Sequence, residues 1–203
     1  MKNVNKKEIL DRLTLKAEKN NYIKPEYYDQ FNVKRGLRNN NGTGVLVGLT
    51  EIGSVIGYHM DGDLKCPCQG ELFYRGINIM DIVKGFKSDN RRGFEETAYL
   101  LLFGELPTSD ELLDFTGLLD ECRDLPPGYT ENMILKIPSK DIMNKLQRSI
   151  LTLYSHDDDP DNIDVKNILR QSIELIARVP TIISYGYQAK AHYFDKKSLF
   201  IHK

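Results

Sequence analysis

"GELFYRGINIMDIV", Gly70–Val83, contains the change from strand to helix on which the fold prediction depends. Leu72 and Tyr74 alternate with Glu71, Phe73 and Arg75, as in a strand, and Gly76 permits a sharp turn. Asn78 has the side chain of a helix N-cap, and the helix after it is predicted to bury Ile79, Ile82 and Val83. Arg75 therefore lies where a strand gives way to a helix, a position that suits a ligand-binding cation and equally a structural or surface arginine.

A small β element is predicted just before this junction. From Val45, "VLVGLTEIGSVIGY" has two β-prone runs with glycines among them, which is typical of a hairpin or meander. The strand that contains Leu72 is expected to join it, so the element covers about residues 44–76. Further upstream, residues 6–20 form a helical pattern with one apolar face, made by Ile9, Leu10, Leu13 and Ala17.

The chain after the β element has helical patterns. "GFEETAYLLLFG" predicts a short helix that Gly104 ends, and the next helix begins with a capping box from Thr108 to Glu111. A later helical stripe, which contains Val165, Ile168, Leu169, Ile173 and Ile176, meets Pro180, where we expect the helix to kink or restart. The predicted fold class is mainly α, with a small β-hairpin or sheet element near the N-terminus.

The helix predicted from Ser139, its N-cap, to Tyr154 has an unusually broad apolar face. Ile142, Leu146, Ile150 and Leu153 form one stripe, which Met143, Leu151 and Tyr154 widen. A stripe this wide indicates burial against several neighbours, and an oligomer interface is one way to supply them.

The bulk composition excludes several classes of function. The chain has 203 residues, 40% of them hydrophobic and 28% charged, and its net charge of -1 gives no reason to expect binding to nucleic acid or to an acidic membrane. No stretch approaches the roughly 18 apolar residues that a membrane span needs, and the N-terminus resembles neither a secretory signal nor a transit peptide. We expect a soluble, cytoplasmic protein without disulfides.

Three short motifs suggest ligand sites, but none has the required pattern. Gly42 and Gly44 have G-x-G spacing, yet Val47 replaces the third glycine and no helix is predicted to follow. The acidic run "SHDDDPDN" resembles a calcium loop but lacks its glycine and its terminal glutamate. His59, Cys66 and Cys68 could form a zinc site, although their spacing matches no finger or ribbon. We therefore predict that these motifs form no metal site. Cys66 and Cys68 are expected to be free thiols in a loop.

The four histidines, His59, His156, His192 and His202, do not form a catalytic pattern in the sequence. None lies beside a serine or cysteine and an acidic residue with spacing that marks a nucleophile and its base, although distant residues can meet in the fold. The residues alone therefore predict no catalytic constellation.

Several ordered segments together resemble the citrate synthase family. They are "VKRGLRNNNGTGVLVGLTEIGSVIGY", "GELFYRGINIMDIV", "GFEETAYLLLFGELPT", "ENMILKIPSKDIMNKLQRSILTLYSHDDDPD" and "LRQSIELIARVPTIISYGYQAKAHY". The resemblance runs from about residue 30 to the end, and so many segments in the family's order are more specific than any single motif. It implies an N-terminal helical extension over 1–30 and the N-terminal part of the family's large domain over 31–203.

The resemblance implies an acyltransferase of the tricarboxylic acid cycle. Such an enzyme condenses acetyl-CoA with oxaloacetate to citrate and free CoA, needs no metal or other cofactor, and is a mainly helical homodimer. Its chemistry requires a carboxylate, histidines and arginines. In the family, the His-x-x-His-Gly-Gly segment, a second histidine and the catalytic aspartate follow the segment that here ends in "SLFIHK". We therefore expect a truncated portion without catalytic residues, inactive by itself.

The resemblance also gives a role to two features noted above. An arginine in the family's Y-R-G turn lies near the phosphates of CoA, so Arg75 is expected to contact CoA, against the alternative of a structural arginine. The helix at 139–154 resembles one that crosses the family's dimer interface. Two other functions stay open: a fragment of a 2-methylcitrate synthase, which prefers propionyl-CoA, and a non-catalytic helical module for interaction or dimerisation.

Overall fold

The computed structural model describes residues 6–31, 33, 49–61 and 64–201. Within these ranges the chain is mainly helical with one small antiparallel sheet, which confirms the predicted fold class. The elements, in chain order, are α1 (Lys6–Asn20), α2 (Glu26–Gln30), β1 (Gly53–Asp61), β2 (Leu64–Tyr74), β3 (Ile77–Asn78), α3 (Ile79–Ser88), α4 (Gly93–Phe103), α5 (Ser109–Glu121), a π-helix (Thr130–Leu135), α6 (Ile142–Leu153), a 3₁₀ turn (Tyr154–His156) and α7 (Val165–Asp195).

The sheet has the order β1-β2-β3, and β1 and β2 form a long two-stranded ribbon. Its register places Ile56 opposite Glu71 but Tyr58 opposite Pro67, so β2 has two more residues than β1 in this stretch and bulges. The β element predicted over 44–76 thus extends to Asn78, and its first residues, 44–48, lie outside the described ranges.

The junction between strand and helix has the predicted form. Arg75 and Gly76 make the two-residue turn between β2 and β3, with φ angles of 49° and 80°. Asn78 precedes α3, and its side-chain oxygen accepts a hydrogen bond of 2.9 Å from the backbone N–H of Met80. Ile82 is buried on the inner side of this helix.

One compact unit consists of Leu15–Leu113. Its core contains Tyr99, Leu100 and Phe103 of α4, all fully buried, and the rings of Tyr99 and Phe103 lie 4.6 Å apart. Gly104 ends α4 in the left-handed conformation, as predicted, because its φ of 81° carries no side-chain penalty for glycine.

The predicted capping box is also present in this unit, at the start of α5. The backbone N–H of Thr108 donates to Glu111 Oε2 at 2.9 Å, and the N–H of Glu111 donates to the Thr108 hydroxyl at 3.4 Å. Glu111 also accepts a hydrogen bond of 2.7 Å from Lys16 Nζ. This cation and the Thr108 bonds lower the pKa of Glu111 to about 2.

The other compact unit consists of Met1–Thr14 and Asp114–Lys203. Its core cluster joins the π-helix region to α6 and α7, through Tyr129, Ile134, Leu153, Ile182 and Ala189. The boundaries between the two units do not fall at residue 30. The assignment of 1–30 to an N-terminal extension and of 31–203 to part of a large domain stays a prediction.

Two helix boundaries in this unit differ from the prediction. Helix α6 begins at Ile142, and its N-cap is Asp141, whose carboxylate accepts the N–H of Asn144 at 3.1 Å. Ser139 lies before the cap, where its hydroxyl accepts the N–H of Asp141 at 3.2 Å. Of the kink or restart expected at Pro180, the restart is wrong, because helix α7 is continuous over 31 residues. Helical residues on both sides hold the conformation although proline supplies no N–H.

None of the described helices combines the length and the apolar character that crossing a bilayer requires.

Candidate functional site

Arg75, the one binding residue predicted from the sequence, turns its guanidinium group toward the ends of two helices. Its Nη2 donates to the carbonyl oxygen of Leu101 at 2.9 Å and to the side-chain oxygen of Asn21 at 2.5 Å. Its Nε donates to the same Leu101 carbonyl at 3.3 Å, and Nη1 to the carbonyl of Asn20 at 3.4 Å. Arg75 thus supplies donors to carbonyls in the last turns of α1 and α4, which have few partners within their helices.

A cavity of about 210 Å³ lies beside this guanidinium group. Its lining combines polar and apolar side chains: Asn20, Asn21, Ile23, Leu49, Thr50, Glu51, Ile52 and Arg75. Burial lowers the pKa of the Arg75 guanidinium, while the charge of Glu51 acts in the opposite direction. Since arginine stays protonated in proteins, the cavity keeps a positive charge on one wall.

The backbone at Arg75 is unusual for a residue with a side chain. Its φ of 49° is in the left-handed region, which glycine, asparagine and aspartate occupy most readily, and its N–H donates to the carbonyl of Ile52 at 2.9 Å. Four side-chain hydrogen bonds accompany this conformation. The described contacts therefore give Arg75 a structural role, and its contact with CoA stays a prediction.

The described histidines have separate surroundings. His59 is exposed on β1, directly opposite Cys66. In the unit that contains α6 and α7, the ring of His156 lies 5.7 Å from the ring of Tyr129, and Nδ1 of His192 lies 2.8 Å from the carbonyl oxygen of Lys197. His202 lies outside the described ranges.

The acidic run at 157–161 is held by hydrogen bonds to α7. Asp157 accepts bonds of 2.7 and 2.9 Å from Arg170 and one of 3.0 Å from Gln171. Although desolvation alone would raise the pKa of the Asp157 carboxyl, these donors and the backbone N–H of Asp159 lower it overall. Because its oxygens are occupied by donors from α7, Asp157 connects this loop to the helix.

A second cavity, of about 230 Å³, adjoins this loop. Asp157, Gln171 and Glu174 line it together with Arg178, whose Nη1 donates to Glu174 at 2.9 Å. The opposite charges are paired with each other, so this arrangement needs no ligand to satisfy them.

The residues suggested as a zinc site lie on the ribbon, and the two predicted loop thiols belong to strand β2. Cys66 is half-buried, Cys68 is exposed, and both thiols are free. In the part of the chain that the structure describes, no three histidine, cysteine, aspartate or glutamate side chains are grouped so that they could hold a metal ion. The loop glycines Gly42 and Gly44 lie outside that part.

Helix α6 carries a buried lysine that the sequence did not predict. Lys145 is only 2% exposed, and its ammonium group donates to the carbonyls of Met133 and Ile137. Burial, with a smaller effect of Arg148, lowers the pKa of Lys145 to about 8. The spacing of Lys145, Ser149 and Leu153, each four residues apart, was the available signal for this buried line, but two of its members are polar.

The apolar side chains that widen the α6 stripe remain at the surface. Met143 is 65% exposed, Leu151 73% and Tyr154 55%, whereas Ile142, Leu146 and Ile150 are half-buried. The described part of the chain therefore leaves one apolar side of α6 uncovered.

The sequence matches a family model described as "Citrate synthase, C-terminal domain" over residues 39–202. The chain is 33% identical over 123 residues to the citrate synthase of Saccharolobus solfataricus, which covers 60% of this chain and 30% of that protein. It is 29% identical over 160 residues to 2-methylcitrate synthase 1 of Corynebacterium glutamicum, covering 78% of this chain and 36% of that one. The chain thus spans about a third of the length of these curated relatives.

Two solved structures have the same fold over most of the chain. Citrate synthase from Pyrobaculum aerophilum matches 77% of this chain and 39% of its own, with a TM-score of 0.58 and 24% identity. Citrate synthase from the thermophilic archaeon Thermoplasma acidophilum, in a ternary complex with carboxymethyl coenzyme A and oxaloacetate, matches 72% of this chain and 34% of its own, with a TM-score of 0.58 and 20% identity.

Proposed function

Because the chain belongs to the citrate synthase family, we propose that it is part of an acyltransferase that condenses acetyl-CoA with oxaloacetate to citrate and free CoA. The observation that carries this proposal is the match of the family model to residues 39–202. The helical fold shared with two citrate synthases supports it. The protein would use no metal or cofactor, with the CoA thioester as a substrate.

The proposed reaction needs groups that the described part of the chain does not bring together. A carboxylate must remove a proton from the acetyl methyl group, and hydrogen-bond donors must stabilise the resulting enolate and polarise the oxaloacetate carbonyl. His156 lies against Tyr129 and His192 beside a backbone carbonyl, and His59 is exposed on β1. We therefore propose that the 203-residue chain contributes framework and binding surface and has no turnover by itself.

An activity assay tests this division of roles. The purified chain is mixed with acetyl-CoA, oxaloacetate and a thiol reagent that reports free CoA, and a citrate synthase such as that of Thermoplasma acidophilum serves as the positive control. We expect no CoA release from the chain above the rate without protein. Turnover that depends on both substrates would contradict the inactivity of the chain and support its family activity.

Binding of CoA near Arg75 is the second part of the proposal. The guanidinium group on the wall of the 210 Å³ cavity could pair with a phosphate through charge-assisted hydrogen bonds. Isothermal titration calorimetry should show CoA binding that Arg75→Ala weakens by about tenfold, the equivalent of about 1.4 kcal/mol. Arg92→Ala, which removes another exposed arginine, directly before α4, is the matched control.

The outcomes of the titration separate binding from folding. Far-UV circular dichroism must first show that Arg75→Ala keeps its helices, and Arg75→Lys provides a variant that keeps the positive charge. Equal CoA affinities for the wild type and a folded Arg75→Ala chain would show that Arg75 does not contribute to CoA binding.

A second candidate activity is that of a 2-methylcitrate synthase, which uses propionyl-CoA. The similarity to the Corynebacterium glutamicum enzyme covers 78% of this chain and is what favours it. Calorimetry with the two thioesters distinguishes the candidates. Tighter binding of propionyl-CoA than of acetyl-CoA would favour the 2-methylcitrate reaction, and the reverse order would favour citrate synthesis.

We also propose that the chain self-associates through α6, as the family resemblance implies. The exposed Met143, Leu151 and Tyr154 support this proposal, because they form an apolar side that a second copy could cover. A non-catalytic interaction module would use the same face but would bind no CoA. The CoA titration above therefore separates the two, and the test of oligomeric state below tests the shared face.

A further inference from the structure

Cys66 and Cys68 lie in an unusual place for free cysteines. They flank Pro67 on β2, in the two-stranded ribbon, and Cys68 is exposed while Cys66 is half-buried. Free cysteine is among the most buried residue types, because its thiol behaves as a small apolar group. The partners of β2 here are exposed as well, since His59 and Tyr58 of β1 lie opposite Cys66 and Pro67. Core packing therefore does not account for this pair of thiols.

Strand geometry determines how the two thiols can meet. Residues i and i+2 of a strand project from the same face, and their separation is two strand rises, about 6.6 Å. Pairing with β1 holds Cys66 and Pro67, and the register shift of the ribbon begins directly after Pro67. A disulfide requires Cβ atoms roughly 3.5–4.5 Å apart, which is well below two strand rises. The strand would have to deform before these thiols could oxidise to a disulfide.

A metal ion bridging the two sulfurs fits this spacing better. With metal–sulfur bonds near the zinc–sulfur length of about 2.3 Å, two sulfurs on opposite sides of one ion lie about 4.6 Å apart. Rotation about the two Cα–Cβ bonds can bring sulfurs on neighbouring same-face positions to that separation without moving the backbone. The exposure of Cys68 gives the ion access from solvent.

We propose that Cys66 and Cys68 form a surface site for a soft, thiophilic monovalent cation of the Cu(I) type. Thiolates select such ions, and two sulfur ligands are sufficient for them. On binding, each thiol loses its proton, so one Cu⁺ replaces two H⁺ and the site gains one net negative charge. No oxidant or reductant takes part in this step.

The ligand set is limited to the two thiolates. A structural zinc site needs four ligands, and the described residues offer no preformed group of three from which it could be built. His59 lies opposite Cys66 in the ladder but belongs to no such group. We therefore assign it no role in binding the ion.

A competition titration tests the site. The reduced chain is titrated under anaerobic conditions against the Cu(I) complex of a coloured chelator such as bicinchoninate, and the loss of colour reports transfer of the ion. We expect one Cu(I) per chain. Cys66→Ser and Cys68→Ser should each weaken Cu(I) binding at least about tenfold. Loss of even a group that only supports a metal ligand lowers metal affinity by about that factor.

Cys122→Ala and His59→Ala are the matched controls. Cys122 is the third cysteine of the chain and is buried at the end of α5, so its removal should leave Cu(I) affinity unchanged. His59→Ala should also leave it unchanged if only the thiolates bind. Circular dichroism of every variant verifies that the fold is kept.

Four results of the metal titrations would overturn the proposal. These are failure of the wild type to take Cu(I) from the chelator, full binding by the Cys66→Ser and Cys68→Ser double variant, a loss in His59→Ala as large as in the cysteine variants, and tighter binding of Zn²⁺ than of Cu(I) at the same thiols. A thiol count that falls from three to one on air exposure without metal would contradict the strand geometry and overturn it as well.

Discussion

The backbone of Arg75 has a conformation that is unfavourable for any residue other than glycine. Its side chain, in contrast, has several hydrogen-bond partners. A positive φ costs such a residue about 1–2 kcal/mol, and hydrogen bonds to a charged group each contribute about 1.5–3 kcal/mol. The bonds to Leu101, Asn20 and Asn21 therefore offset the strain. Lys145 has an ordinary helical backbone, but its cation is buried and donates to two carbonyl oxygens, with no carboxylate paired to it among the described residues.

Replacing Arg75 should destabilise the chain whether or not CoA is present. We expect Arg75→Ala to lower the free energy of unfolding by about 2 kcal/mol, because helix-end carbonyls lose charged donors. Urea denaturation measures this change. Arg92→Ala, an exposed position before α4 without a side-chain cap bond, should change it by less than about 0.5 kcal/mol. Equal effects of the two variants would contradict the structural role.

Lys145 should make stability depend on pH in the alkaline range. Its pKa is about 8 in the folded chain, against the ordinary lysine value of 10.5, so between these pH values the unfolded chain retains a proton that the folded chain has released. Stability due to this residue therefore rises with pH from about 8 to 10.5.

Comparison with Lys145→Met isolates this effect from other titrating groups. The free energy of unfolding of the wild type minus that of the variant should increase between pH 7 and pH 10 in urea titrations. A difference that stays constant or falls over this range would show that the buried amine does not titrate as described.

Local signals define the ends of several elements. Asn78 caps α3, Gly104 ends α4, and the box of Thr108 and Glu111 starts α5. These contacts join residues within about four positions of each other. Their formation therefore depends little on distant parts of the chain. The start of α6 shows a limit of such signals, because Ser139 and Asp141 are both good caps and Asp141 is the one that bonds to the helix.

The cap at Asn78 allows a direct measurement at this scale. Asn78→Ala should lower the free energy of unfolding by about 1 kcal/mol, since the N–H of Met80 loses its acceptor. Asn78→Ser keeps a side-chain oxygen and should lose much less. If both variants lost the same amount, the cap bond would not be the cause.

For the molecule as a whole, the uncovered side of α6 is a surface that a partner could cover. Three large apolar side chains on one side are exposed, while Lys145 and Ser149 occupy the buried line. A soluble monomer rarely exposes a contiguous apolar patch without an interaction that uses it.

Self-association through α6 can be tested with a matched pair of leucines. Leu151 of α6 is 73% exposed and Leu113 of α5 is 71% exposed, so replacement by glutamate removes a similar amount of buried apolar surface at each position. In size-exclusion chromatography with light scattering, Leu151→Glu should shift the chain from dimer to monomer, while Leu113→Glu leaves the dimer intact. A monomeric wild type, or equal behaviour of both variants, would contradict an interface at α6.

The sequence by itself determined the mainly helical class, the strand, turn and helix around Arg75, and the ends of α4 and α5. These features depend on residues that are close along the chain. Only the tertiary structure decided which atoms Arg75 holds, since its partners are 26 and 55 residues away, and which line of α6 is buried. Hydrophobic periodicity shows that a helix has an inner side, but the neighbouring elements choose that side, and a lysine can lie on it when backbone carbonyls accept hydrogen bonds from its ammonium group.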